Sequence, residues 1–127
     1  MVEDFGQTFD IALTGRVLDL MLDDDHLRET MLPDIIKRAS VYARMTPEQK
    51  AELIQLLKDH GRDGEEHLVG MCGDGANDCG ALKMADAGVS LSDTEASIAA
   101  PFSSKVQDIA CTTTLLREGR GCLSMTI

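Results

Sequence analysis

Residues 67–92 read HLVGMCGDGANDCGALKMADAGVSLS. An apolar run from His67 to Cys72 ends in Gly73-Asp74-Gly75, and a second acid, Asp78, follows four positions after the first. An apolar run closed by turn residues has the pattern of a buried parallel strand, and open α/β sheets bind ligands just beyond the carboxyl ends of such strands. Asp74 is thereby delivered to the mouth of a sheet. Glycine on both sides of it lets the backbone turn sharply and come close to a ligand. Hard oxygen groups in that place suit Mg²⁺, which takes one or two carboxylates, keeps several waters and adds a substrate phosphate. The same text also fits a plain Asp-Gly turn with ordinary helix N-caps, because Asp, Asn and Gly are the commonest turn formers.

Outward from this turn the chain alternates strand and helix. DCGALKMAD (78–86) is a short helix and GVSLS (88–92) the strand after it. Upstream, SVYAR (40–44) is a short strand, and Met45-Thr46-Pro47-Glu48-Gln49-Lys50 opens the clearest helix in the chain. Thr46 is its N-cap, Pro47 its first residue, and Gln49 completes a capping box with Thr46. Leu53, Ile54 and Leu57 then form one apolar stripe with Leu56 at its margin, ending near Asp59-His60-Gly61. GRDGEE (61–66) is a charged loop.

Further upstream, TFDIALTG (8–15) alternates Phe9, Ile11 and Leu13 on one face as a strand that Gly15 breaks. HLRETMLPDIIKRA (26–39) repeats apolar groups at Leu27, Met31, Ile35 and Ile36, with Pro33 dividing the helix by removing a backbone donor. Downstream, EASIAAPFSS (95–104) is a brief helix halted by Pro101, and VQDIACTTTLLREGRGCL (106–123) a short strand running into a helix. The rhythm predicts an α/β fold with a parallel sheet, flanking helices and right-handed crossovers.

The chain has 127 residues, the size of one domain or part of one. Its 22 acidic against 12 basic residues give a formal charge of −10, which argues against nucleic acid as a partner, since phosphate-backbone contacts need clustered Lys and Arg. No apolar run approaches the roughly 20 residues that span a bilayer, and MVEDFGQTFD lacks the regions of a signal peptide, so the chain reads as soluble. Cys72, Cys79, Cys111 and Cys122 form no C-x-x-C pair and read as reduced, mostly buried thiols of a reducing compartment. The seven methionines read as core filler.

Lys50 is the second chemical candidate. It lies in the first turn of its helix, where a cation opposes the helix dipole, so a structural role there is slightly unfavourable and a phosphate partner would reverse the balance. A solvated surface lysine is the plain alternative. Asp23-Asp24-Asp25 points in three directions and reads as solvating a helix end. His26, His60 and His67 share no ligand spacing, and no Ser or Cys sits in a nucleophile elbow.

ARMTPEQK (43–50), followed roughly twenty residues on by VGMCGDGANDCGALKMADAGVSLS, resembles the second half of the phosphorylation domain of P-type ATPases, members of the haloacid dehalogenase superfamily. The wording AND-CGALK, with PFSSK and IACTTTLLREGR downstream, is similar to the fifth class of these pumps and to its polyamine- and cation-transporting branch. The resemblance covers roughly residues 8 to 127 and is strongest from 40 onward.

It implies a Rossmann-like parallel sheet of haloacid dehalogenase type, with residues 1–39 a remnant linking nucleotide-binding and phosphorylation domains and 40–127 the carboxyl-terminal part of the latter. It further implies that Asp74 coordinates Mg²⁺ and that Asn77 and Asp78 support the metal, its waters and the phosphate, with Asp78 as a second metal carboxylate. Lys50 would stabilise the phosphoryl group, while Gly73 and Gly75 shape the turn. ATP would be the substrate of the parent protein, hydrolysed through an aspartyl-phosphate to drive transport. That parent is expected to be an integral membrane protein, on an endomembrane organelle, with this chain in its cytosolic part and with nucleotide-binding, actuator and membrane domains as its partners.

The sequence departs from the family in lacking D-K-T-G-T, which carries the nucleophile, and T-G-D, which binds phosphate. Alone it is expected to be inactive. The resemblance implies that both missing strands belong between SVYAR and HLVGMC, so the chain is expected to leave sheet edges open, recruit TFDIALTG, or self-associate. Two rival readings remain open. One is a soluble phosphatase of the same superfamily, for which no strand-borne D-x-D nucleophile is found. The other is a non-catalytic interaction module.

Overall fold

The computed structural model describes residues 10–60, 67–91 and 95–126. Strand β1 (Ile11–Thr14) is followed by helices α1 (Gly15–Asp23), α2 (Asp25–Thr30) and α3 (Leu32–Arg38) before β2 (Ala39–Ala43) returns parallel to it. Helix α4 (Pro47–Asp59) then leads to β3 (Gly70–Gly73). A 3₁₀ turn (Ala76–Asp78), α5 (Cys79–Met84), β4 (Ala87–Ser90), α6 (Glu95–Ala99), β5 (Phe102–Ser103) and α7 (Ala110–Thr126) follow.

The strands form two parallel sheets, β1-β2 and β3-β4-β5. The α/β expectation with parallel strands and flanking helices holds. Among the described residues the strands do not form one continuous five-stranded sheet: the division falls between β2 and β3, and residues 11–14 of TFDIALTG serve as the partner of β2.

Local chemistry explains the helix starts. Thr46 Oγ1 accepts the Gln49 N–H at 3.3 Å and Gln49 Oε1 accepts the Thr46 N–H at 2.9 Å, the reciprocal capping box read in the sequence, with Pro47 at the first position. Asp24 caps α2 by accepting the Leu27 N–H at 3.1 Å, so the acidic triplet does serve a helix end. Pro33 sits in the first turn of α3, and the break it imposes falls one residue earlier than Leu32, at Met31. Arg44 leaves β2 with φ of 56°, a left-handed conformation uncommon for a side chain of this size, and so ends that strand one residue sooner than the sequence reading placed it.

Leu13, Leu18, Met21, Leu32, Ile36 and Leu53 form one contiguous buried cluster, with Leu22, Ile35, Tyr42, Met45, Leu56 and Leu57 packed against it. Helix α1 departs from the sequence reading, in which Gly15 breaks the chain; Leu18, Met21 and Leu22 give it an apolar face that packs into the cluster. Around the other sheet the buried apolar residues are Ala81 and Leu82 of α5 and Val89 of β4.

Several expectations are corrected. Residues 106–109 form no strand; Val106 and Ile109 are exposed, and α7 follows directly. Strand β5, at Phe102–Ser103, lies inside a stretch read as helix and its end, Pro101 having released the backbone for pairing with β4. The cysteines are less covered than expected: Cys72, Cys79 and Cys111 are half-buried and Cys122 is exposed. Of the methionines, Met21 is core, whereas Met31, Met84 and Met125 are exposed. The loop 61–66 and Phe9 lie outside the described residues.

Candidate functional site

Strand β3 ends at Gly73 and delivers Asp74 to its carboxyl end as predicted, but it starts only at Gly70, is half-buried, and leaves Leu68 of the apolar run exposed. The backbone then tightens into the 3₁₀ turn, where the Asp78 N–H donates to Gly75 O at 3.0 Å and the Gly75 N–H donates to Asp78 Oδ2 at 3.3 Å. A Cβ on Gly73 would sit 2.7 Å from Asp78 Cβ, so this position admits no side chain without moving the acid.

Asp78 is buried and opens α5. A buried carboxylate needs a charge partner, and Lys50 supplies it: Nζ donates to Asp78 Oδ1 at 2.7 Å across 28 residues of sequence. Lys50 sits in the first turn of α4, so the capping box that starts that helix also sets the origin of the lysine. The lysine side chain is 29% exposed, so it binds Asp78 while its flank stays open to solvent.

The two acids have different situations. Both oxygens of Asp78 are engaged, one by Lys50 and the other by the Gly75 N–H. Asp74 and Asn77 are exposed, and neither side chain has a hydrogen-bond or ion-pair partner among the described residues. Asp78 therefore organises the turn while Asp74 and Asn77 stay exposed, the Asn77 amide oxygen lying close over Gly75. Among the described residues no three His, Cys, Asp or Glu side chains converge. An exposed carboxylate beside an amide oxygen, backed by a second carboxylate, fits a cation that keeps much of its water and takes the remaining oxygens from a substrate, as Mg²⁺ does.

The gap between the sheets opens beside this turn. A cavity of about 380 Å³ is lined by Tyr42, Arg44, Met45, Lys50, Leu53, Ile54 and Met71, joining the end of β2, one face of α4 and the middle of β3. A second, of about 340 Å³, lies toward the other end of α4, with Ala39, Tyr42, Leu57, His60, His67 and Gly70 in its wall. Lys50, Leu53, Ile54, Leu57 and His60 repeat at helical spacing, so one face of α4 forms the floor of both. Burial raises the Tyr42 hydroxyl above its ordinary pKa, and the group donates to Ile36 O at 2.9 Å.

Sequence reading brought Lys50, Asp74, Asn77, Asp78, Gly73 and Gly75 forward, and the fold gathers them at the carboxyl end of β3. It missed Gln49, which beyond its cap donates through Nε2 to Gly15 O and to Asp19 Oδ1. The one available signal was a capping residue on the apolar side of its helix.

No family model matches the chain. Among curated proteins it is 49% identical over 117 residues to the vacuolar cation-transporting ATPase YPK9 of Saccharomyces cerevisiae, covering 91% of this chain and 8% of that protein. It is 44% identical over 123 residues to human polyamine-transporting ATPase 13A3, covering 96% of this chain and 9% of the relative. With mouse polyamine-transporting ATPase 13A2 it shares 53% over 90 residues, which is 71% of this chain and 7% of the other. The chain thus spans less than a tenth of each of these three relatives.

Proposed function

The chain belongs to the P-type ATPase 13A family, and from that premise we propose that it is the carboxyl-terminal part of a phosphorylation domain of haloacid dehalogenase type, supplying the Mg²⁺ and phosphate half-site for ATP hydrolysis that drives cation or polyamine transport. On this reading residues 1–39 join the nucleotide-binding and phosphorylation domains and residues 40–127 form the end of the latter. The cleft between β2 and β3 is the place for the strand bearing the nucleophilic aspartate and for its T-G-D neighbour. The remaining partners are the nucleotide-binding, actuator and membrane domains of the same protein, with this part on the cytosolic side of an endomembrane. Among the described residues no helix is long and apolar enough to cross a membrane.

The observation that carries the reading is the Lys50 Nζ to Asp78 Oδ1 contact of 2.7 Å beside the outward-facing Asp74. It joins a cation and an acid that lie 28 residues apart in sequence, at the end of one parallel strand that also carries the exposed Asp74. Asp74 would hold Mg²⁺ directly, and Asn77 and Asp78 would hold its waters and the turn beneath it. The bound ion would neutralise charge on a transferring phosphoryl group. Lys50, anchored by Asp78, places its ammonium beside the cleft and lowers the electrostatic cost of a phosphate there. Asp78 keeps that ammonium from swinging into solvent, and Gly73 and Gly75 let the backbone pass close by.

A titration of Mg²⁺ together with beryllium fluoride, following the backbone amides of Gly73 to Asp78 and of Lys50, tests the half-site. Shifts confined to those residues and abolished in Asp74→Ala are expected. Shifts that survive Asp74→Ala, or that spread over α1 and α3 instead, would remove Asp74 from the role.

A further inference from the structure

Capping uses only one end of Gln49. Its Oε1 accepts the Thr46 N–H, while Nε2, at the other end of the same carboxamide, donates to Gly15 O at 3.1 Å and to Asp19 Oδ1 at 2.6 Å. The side chain is buried, and Gly15 has no room for a Cβ, which would overlap Gln49 Oε1 and come within 2.8 Å of Arg44 O. This close approach locks the first turn of α4 onto the β1–α1 junction. The next residue, Lys50, reaches the opposite way, to Asp78 beyond β3. Two successive residues therefore tie one helical turn to the two sheets on either side of the cleft.

We propose that Gln49 is a positioning residue for Lys50: by holding Gly15 and Asp19 it sets the height and rotation of the first turn of α4, and so holds the lysine ammonium at Asp78. Its functional meaning rests on the reading of Lys50 as the phosphate-facing cation; the positional claim does not. Helix α5 also steadies this turn, since a Cβ on Gly80 would lie 3.6 Å from Ala51 Cβ. The effect of loosening Gln49 is accordingly a graded displacement of Lys50.

The test separates capping from clamping. Gln49→Glu keeps an acceptor for the Thr46 N–H and adds a charge that suits a helix N-terminus. It removes both Nε2 donors and sets a carboxylate against Gly15 O and Asp19. Adding Asp19→Asn restores a donor to that contact. On the 127-residue chain, trace acetylation with acetic anhydride, read by peptide mass spectrometry, gives the rate at Lys50 relative to Lys58. Lys58 is the internal control: it pairs with Asp86 at 2.9 Å in the last turn of the same helix, with a side chain 25% exposed.

The Lys50/Lys58 ratio is expected to rise about three- to tenfold in Gln49→Glu, the range of losing one or two hydrogen bonds, and to fall back to within about twofold of wild type in the double variant. An unchanged ratio in folded Gln49→Glu, or a raised ratio that Asp19→Asn fails to restore, overturns the proposal. Should circular dichroism show Gln49→Glu unfolded, Asp19→Ala decides: a rise of about twofold is expected from one lost contact, and no rise overturns it. A ratio that responds while Mg²⁺ and beryllium fluoride leave the turn unmoved would keep the positioning role and remove the phosphate reading.

Discussion

Around β1 and β2 the chain buries Leu13, Leu18, Met21, Leu32 and Ile36 in one cluster that Leu53 of α4 completes, whereas around β3, β4 and β5 the buried apolar residues are Ala81, Leu82 and Val89. The acids lie on the second side. Lys50 rises from the helix that the first side anchors. Hydrophobic stabilisation follows the apolar area removed from water, so the first half is the foundation and the second depends on its attachments to α4. Those attachments are the packing of α5 on α4, the Lys50–Asp78 pair at one end, and the Lys58–Asp86 pair at the other. A site divided in this way has its cation fixed by one half and its acids by the other. Chain filling the cleft between them would set both at once.

The largest expected effect tests the foundation. Leu18 is fully buried in the cluster, so Leu18→Ala should cost about 3–5 kcal/mol of unfolding free energy, measured by urea denaturation. Leu82→Ala, equally buried but outside the large apolar cluster, should cost about 2–3 kcal/mol, the lower end of the range for a buried leucine. A larger loss at Leu82 than at Leu18 would invert the comparison.

Next in size is the attachment at the site. Asp78→Ala strips the lysine of its partner and leaves the Gly75 N–H without its acceptor. A fully buried pair broken on one side would lose more, but Lys50 can turn its exposed flank to water, so about 1–2 kcal/mol is expected. Urea denaturation again provides the measure, and the double variant Asp78→Ala with Lys50→Met should recover part of the loss. No recovery would mean that Asp78 acts through the backbone of the turn alone.

How much of this was legible depended on the range of the signal. The α4 start, the acidic turn and the alternation of strand and helix are written in neighbouring residues, through the Thr46 to Gln49 reciprocity, Gly73-Asp74-Gly75 and runs of one period. The meeting of Lys50 with Asp78 is not visible in spacing; the family resemblance placed both in one phosphate half-site without pairing them, and the contact comes from the fold. Helix α1 was overlooked because Gly15 sits at its first position, where glycine is tolerated and even demanded by the close approach of Gln49. Strand β5 was hidden because two residues have no period; only its pairing with β4 defines it. Val106 and Ile109 suit a strand by their β-branched side chains, yet among the described residues they have no partner strand and stay exposed.

The smallest expected effect lies at the end of α4 remote from the acids. Asp86 accepts the Val69 N–H at 2.8 Å through Oδ2 and pairs with Lys58 through Oδ1, while its own N–H returns to Val69 O at 2.9 Å. The backbone hydrogen bond from Val69 first, and then Lys58, hold its carboxyl below the ordinary carboxylate range. The group therefore adds stability that is present above the unfolded-state value of about 3.9 and is lost as pH falls through its lower folded value. Asp86→Asn cannot titrate, so the melting temperatures of variant and wild type should differ most above about pH 4 and converge as both are taken further into acid. The group is solvent-facing, and the difference should shrink in high salt. A gap that instead widened on acidification would mean that Asp86 does not fasten the entrance of β3 to α4, and the second half would then hang on the Asp78 end and on α5 alone.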